Sequence, residues 1–166
     1  MERIGRRCVK NSMNFIIIFL ANYLYVVIVV VAIIALVFAK KPIKSNMIML
    51  ALLTFPFAFI VATILDHFFY NPRPFVVEHI KPLIPHAANN GFPSDHTLLV
   101  ISIASIVFVI NKRLGSVLFV LGLLVGFARV LAEVHHPIDI FASIIVAVLS
   151  TYISCMILKK LKQITV

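Results

Sequence analysis

Three short segments concentrate the reactive side chains of this 166-residue chain: Asn71-Pro72-Arg73-Pro74, Pro93-Ser94-Asp95-His96, and Arg129 followed by His135 and Asp139. Arg73 and Arg129 can each present a planar fork of N–H donors suited to bidentate phosphate binding. Ser94 stands just before an apolar helical run. Its hydroxyl and the backbone N–H groups that follow, that of Asp95 first, would face an anion at the positive end of a helix. His96 lies in the same first turn, placed to give a proton to a leaving oxygen. His135 and Asp139 are four apart, which on a helix puts them on one face, with the carboxylate orienting the imidazole. A nucleophile, an orienter, a proton donor and two phosphate clamps are the parts of a covalent phosphoryl-transfer site.

The other histidines read differently. His67, His79 and His86 have no partner in the pattern and are expected to be structural or interfacial. His136 could join His135 and Asp139 around a metal, but no third ligand has familiar spacing and no His-Glu-x-x-His run occurs. The reading therefore expects no metal and no other cofactor.

Nearly everything around these segments is apolar. The chain is 62% hydrophobic and 13% charged, against roughly 45–50% and about 25% in soluble domains. The excess falls in long runs, predicting an all-α integral membrane bundle of five to six transmembrane or interfacial helices. The spans are expected at about 15–39, 46–69, 95–110, 116–134 and 138–158. Residues 1–14 form a basic arm, possible as an interfacial helix. Residues 70–96 form a catalytic loop holding five of the eight prolines. Residues 111–115 read as a turn. The length allows one membrane-embedded domain over 1–166.

Topology follows from the span order. Two spans separate the 70–96 loop from the 134–139 turn, so both fall on one side. The opposite side receives Lys40, Lys41, Lys44, Lys112, Arg113, Lys159, Lys160 and Lys162. The positive-inside rule puts those residues in the cytoplasm and the reactive segments outside, at the cytoplasmic membrane. Arg3, Arg6, Arg7 and Lys10 conflict with five full spans, which would carry them outside too. The net charge of +9 is this membrane bias; no basic stripe with interleaved aromatics points to nucleic acid. Cys8 and Cys155 lie at opposite ends and predict no disulfide. Nothing in the sequence sets an oligomeric state.

The three segments resemble the motifs of the type 2 phosphatidic acid phosphatase (PAP2) superfamily of membrane lipid phosphatases: Lys-x6-Arg-Pro, Pro-Ser-Gly-His and Ser-Arg-x5-His-x3-Asp. Arg73-Pro74 matches the end of the first, Pro93 to His96 the second with one change, and Arg129, His135 and Asp139 the third with its spacing intact. Three positions depart: Asp66 stands for the family Lys, Asp95 for the Gly and Ala128 for the Ser. Phosphate binding would then rest more on Arg73, Arg129 and Ser94, with Lys81 a possible substitute from the loop. Asp95 would favour a protonated His96. The Pro-Ser-Asp-His variant, with Arg73-Pro74-Phe75 and a small chain, is similar to the bacterial undecaprenyl-diphosphatase branch of the bacitracin-resistance type. The resemblance implies a phosphatase in the lipid bilayer acting on a polyprenyl diphosphate. His135 would be the nucleophile, Asp139 its orienter and His96 the general acid, with Arg73, Arg129, Ser94 and the Asp95 N–H binding phosphate. Other lipid phosphates share these motifs, and a non-catalytic polyprenyl-phosphate carrier is the rival of another class.

Overall fold

The computed structural model describes residues 2–161 and 164, and side chains from residue 12 onward. Seven helices follow in order: α1 (Glu2–Asn22), α2 (Leu24–Phe38), α3 (Lys41–Phe68), α4 (Pro74–Val77), α5 (Asp95–Ile110), α6 (Lys112–Leu131) and α7 (Pro137–Lys160). Among the described residues there is no strand. The arrangement is the expected all-helical membrane bundle. α3, α6 and α7 are each long and apolar enough to cross a bilayer. Only 22% of the most apolar stretch of α3 is buried within the protein. Its exposed face, with Leu52, Phe59, Ile60 and Ile64, is therefore a surface for lipid tails.

The expected first span over 15–39 is not one helix. It breaks at Tyr23, where α1 and α2 meet at a 43° bend. The polar pair Asn22-Tyr23 inside an apolar run is the signal for this elbow. The side chains of Arg3, Arg6, Arg7 and Lys10 lie outside the described residues; the backbone there is the start of α1. The expected turn at 111–115 is also helix. Asn111 alone is the break, and its side-chain oxygen accepts from Leu114 N at 3.1 Å, capping α6. Gly115 permits the tight return, because a Cβ there would lie 2.2 Å from Phe108 Cα.

α5 is the central helix, packed against α6, α7, α3 and α2. At 16 residues it spans about 24 Å, shorter than a bilayer core of about 30 Å. It starts from Ser94, which is fully buried, while the Asp95 side chain that follows is exposed. The loop before it folds back over the C-terminal end of α6. Phe75 N donates to the Glu133 carbonyl and Leu83 N to that of Ala132, both at 3.3 Å. Ile84 is buried beside Ala128, Ala132 and Val134. These contacts bring the loop and the 132–136 turn together on one side, as the span order requires.

Candidate active site

His135 is the centre of the assembly. It lies outside α7, one residue before the His136 N-cap. The expected shared helical face is therefore not what pairs it with Asp139. Asp139 sits three residues after the cap, and its Oδ2 accepts from His136 N at 2.8 Å. That bond turns the carboxylate back toward the preceding turn, leaving Oδ2 3.4 Å from His135 Nδ1. The Gly91 carbonyl is nearer, 2.9 Å from Nδ1. A carbonyl only accepts, so Nδ1 carries the proton and Nε2 keeps its lone pair. Gly91 must come this close: a Cβ there would be 3.2 Å from both Asn71 O and Asp139 Oδ2.

Arg73 reaches the same ring from the loop. Its Nη1 donates to the Val134 carbonyl at 2.7 Å and lies 3.3 Å from His135 Nε2. Its Nε donates to Asn89 Oδ1 and its Nη2 to the Asn90 carbonyl. Arg73, Arg129, His135 and Asp139 are 5%, 2%, 3% and 0% exposed, so two cations, a base and an acid share one buried locus. Burial holds the Arg73 guanidinium below its ordinary value, offset in part by the charges of Asp139 and Asp95. Burial also lowers His135, the hydrogen bond to Asp139 opposing it and the two arginines reinforcing it. Its imidazole is thus neutral at neutral pH, as a nucleophile requires.

Arg129 enters from the last turn of α6. Its Nη1 donates to the Ala21 carbonyl at 3.3 Å, one of the acceptors that the end of α1 leaves unsatisfied. Its Nε is buried without a hydrogen-bond partner among the described residues. A buried unpaired donor is costly unless an acceptor arrives, and a phosphate oxygen is such an acceptor. His96 packs edge-on against Tyr25, with ring centroids 4.9 Å apart. The α1–α2 elbow thus supplies two wall residues, Ala21 and Tyr25, that hydropathy alone did not reveal.

Several expectations change. Ser94 occupies the N-cap position but makes no side-chain cap bond; its Oγ accepts from Thr97 at 3.2 Å. Its own N–H is turned to the Asp139 carbonyl at 3.4 Å. The Asp95 N–H is among the first four of α5, which lack intrahelical acceptors. The Asp95 side chain is exposed and lines a cavity of about 250 Å³ with Asp66, Arg73 and Asn90. Its charge acts on Arg73 and Arg129. Asp66 does not face the site as a phosphate donor would. Its Oδ1 accepts from Asn90 Nδ2 at 2.8 Å, and Asn90 Oδ1 accepts from Asn71 N and Phe92 N. Lys81 is exposed and makes no polar contact with the site among the described residues.

The sequence reading missed four further participants. Asn71 Nδ2 donates to Asp139 Oδ1 at 2.7 Å, so this residue of the first segment, given no role of its own, orients the carboxylate. Asn90 ties Asp66 to Arg73 through its side-chain amide and its carbonyl. His136 has its Nε2 3.1 Å from the Pro72 carbonyl, tying the turn to the loop. His86, expected to be structural or interfacial, stands edge-on to His135 with ring centroids 6.2 Å apart.

The sequence profile of the PAP2 superfamily matches residues 47–163. Undecaprenyl-diphosphatase BcrC of Bacillus subtilis (strain 168) is 41% identical over 81 residues, covering 49% of this chain and 42% of that protein. The bacitracin transport permease protein BcrC of Bacillus licheniformis is 30% identical over 84% of this chain and 69% of its own length. The chain thus spans well under half of the first relative and about two thirds of the second. The crystal structure of Aquifex aeolicus LpxE superposes with a TM-score of 0.69 at 25% identity, covering 86% of both chains.

Proposed function

The chain belongs to the PAP2 superfamily, and from that premise we propose that it is a membrane phosphatase converting undecaprenyl diphosphate to undecaprenyl phosphate and phosphate. One observation carries the reading. His135 has its Nδ1 proton held by Gly91 and Asp139, and its unprotonated Nε2 faces Arg73 Nη1 at 3.3 Å, where a phosphoryl group would share that cation. That is the geometry of an imidazole prepared to attack phosphorus.

The steps follow from these positions. The Nε2 lone pair attacks the terminal phosphorus, and the bond to the bridging oxygen breaks. His96 protonates that oxygen as the lipid monophosphate departs. The His135 ring, now a phosphorylated cation, is stabilised by Asp139. A water then gives its proton to His96 and attacks the same phosphorus. The P–N bond breaks, phosphate leaves and His135 returns to neutral. Arg73, Arg129, Ser94 and the Asp95 N–H stabilise the equatorial oxygens. The arginines supply the positive field, so turnover is expected to survive EDTA. The site faces outward at the cytoplasmic membrane in this reading, supported by the lysines and arginine clustered where α2, α5 and α7 end on the opposite side.

The name of the Bacillus licheniformis relative favours a second reading, transport without hydrolysis. Phosphate release from undecaprenyl diphosphate by detergent-purified protein separates the two, beside phosphatidylglycerol phosphate and phosphatidic acid. EDTA-resistant release that disappears in His135→Ala supports the hydrolase. Absence of release from every lipid phosphate excludes it. Faster release from another lipid keeps the chemistry and replaces the substrate.

A further inference from the structure

His86 takes no part in the steps above, yet its position is well determined. The Leu83 bond to Ala132 and the burial of Ile84 anchor the loop two residues before it, and Pro82 and Pro85 restrict the backbone between. The imidazole is half-buried and stands edge-on to His135, with ring centroids 6.2 Å apart and planes at 78°. No hydrogen bond joins the two rings. Among the described residues the only polar contact of the His86 ring is a long one, Nδ1 to the adjacent Ala87 carbonyl at 3.4 Å. The charges acting on it are those of Arg73 and Arg129, and then His135. These are groups that the proposed steps put around the transferred phosphoryl. His96 comes to the site from α5 and the Tyr25 side; His86 comes from the loop.

We propose that His86 is a further phosphate-contacting residue, whose imidazole closes the loop side of the cradle formed by Arg73 and Arg129 around the phosphoryl group at His135. The inference rests on the phosphatase reading above. It also accounts for the departures from the family pattern. Asp66 and Ala128 stand where that pattern has two phosphate donors, and Asp66 is committed to Asn90. One imidazole from the loop replaces part of what they would supply.

The electrostatics suit the role. Burial, then the two arginines, push His86 down to about 4, so it is neutral before an anion arrives. A bound phosphate offsets the arginine charges, which raises the ring's proton affinity. The contact then becomes a charge-assisted donor, the stronger kind.

The test is calorimetric titration of inorganic phosphate into the full-length, detergent-purified protein, beside His86→Ala, His86→Gln and Lys81→Ala. His86→Ala is expected to weaken phosphate binding about tenfold, the size of one hydrogen bond to a charged group. His86→Gln, which keeps an N–H donor, should stay within about threefold. Lys81→Ala should bind as wild type does. Unchanged affinity in His86→Ala overturns the proposal. So does a loss shared by both His86 variants together with a lowered melting temperature, since that marks a structural role. The two readings fail separately. Phosphate binding that depends on His86 in a protein releasing no phosphate from lipids removes the enzyme and leaves the contact. Turnover with phosphate binding indifferent to His86 does the reverse.

Discussion

Asp139 shows how much one buried carboxylate can organise. Its two oxygens take the Asn71 amide, the His136 N–H and the proximity of His135. Asp139→Asn keeps the shape and removes the charge that steadies a phosphorylated imidazole. It is expected to lower kcat by two to four orders of magnitude, as loss of an orienting carboxylate does elsewhere. Steady-state kinetics with a melting curve for folding checks this. The spacing of His135 and Asp139 was legible in the sequence; the reason for it was not. Helical periodicity explains a pair on one helix, but here the cap bends the carboxylate back to a residue outside the helix. Asn71 and His86 were illegible for another reason: their partners lie 68 and 49 residues away, and no local pattern encodes such contacts.

The histidines also set a pH response at this scale. His86 is depressed to about 4, and His135 is lowered too. An unfolded histidine titrates near 6.5. Between those values the unfolded chain binds protons that the folded chain refuses, so stability is full above about pH 6.5 and falls as pH drops toward about 4. The melting temperature in detergent is expected to be lower at pH 5 than at pH 7. His86→Gln should narrow that difference. An equal difference in both proteins would remove His86 as a contributor.

At the scale of elements, the α1–α2 elbow and the α5–α6 return place the two groups that come from helix ends. The elbow frees the Ala21 carbonyl for Arg129 and turns Tyr25 toward His96. The tight return lets α6 run back along α5, which sets where Arg129 arrives. Gly115 is the point of closest approach. Gly115→Ala forces the helices apart and is expected to cost about 1–3 kcal/mol by overpacking. A lowered melting temperature with reduced phosphate binding is the expected outcome. The apolar runs announced α3, α5, α6 and α7 to within a few residues, because burial in lipid dictates them. They concealed the elbow, since hydropathy averages over Asn22 and Tyr23.

For the whole molecule, the reactive residues gather at one end of the bundle and most lysines at the other. That polarity is the basis of the proposed orientation. A chain lacking Cys8 and Cys155, carrying a single cysteine in place of Glu78 or of Lys41, tests it in intact cells. A membrane-impermeant maleimide is expected to label the Glu78→Cys protein from outside and leave Lys41→Cys unlabelled. The opposite pattern would put the site in the cytoplasm. Fold class and one-sidedness were readable from composition and span order. The burial of the site was not, because it depends on how the loop and the 132–136 turn pack over Ser94, Arg73 and His135.

The most direct test of the central claim is to trap the covalent intermediate. Undecaprenyl diphosphate carrying 32P in its terminal phosphate is mixed with purified protein and quenched within milliseconds in alkali. The account expects an acid-labile, alkali-stable label on the protein, mapping to His135 and missing from His135→Ala. Rapid phosphate release with no labelled protein at any quench time, or undiminished release by His135→Ala, would contradict it.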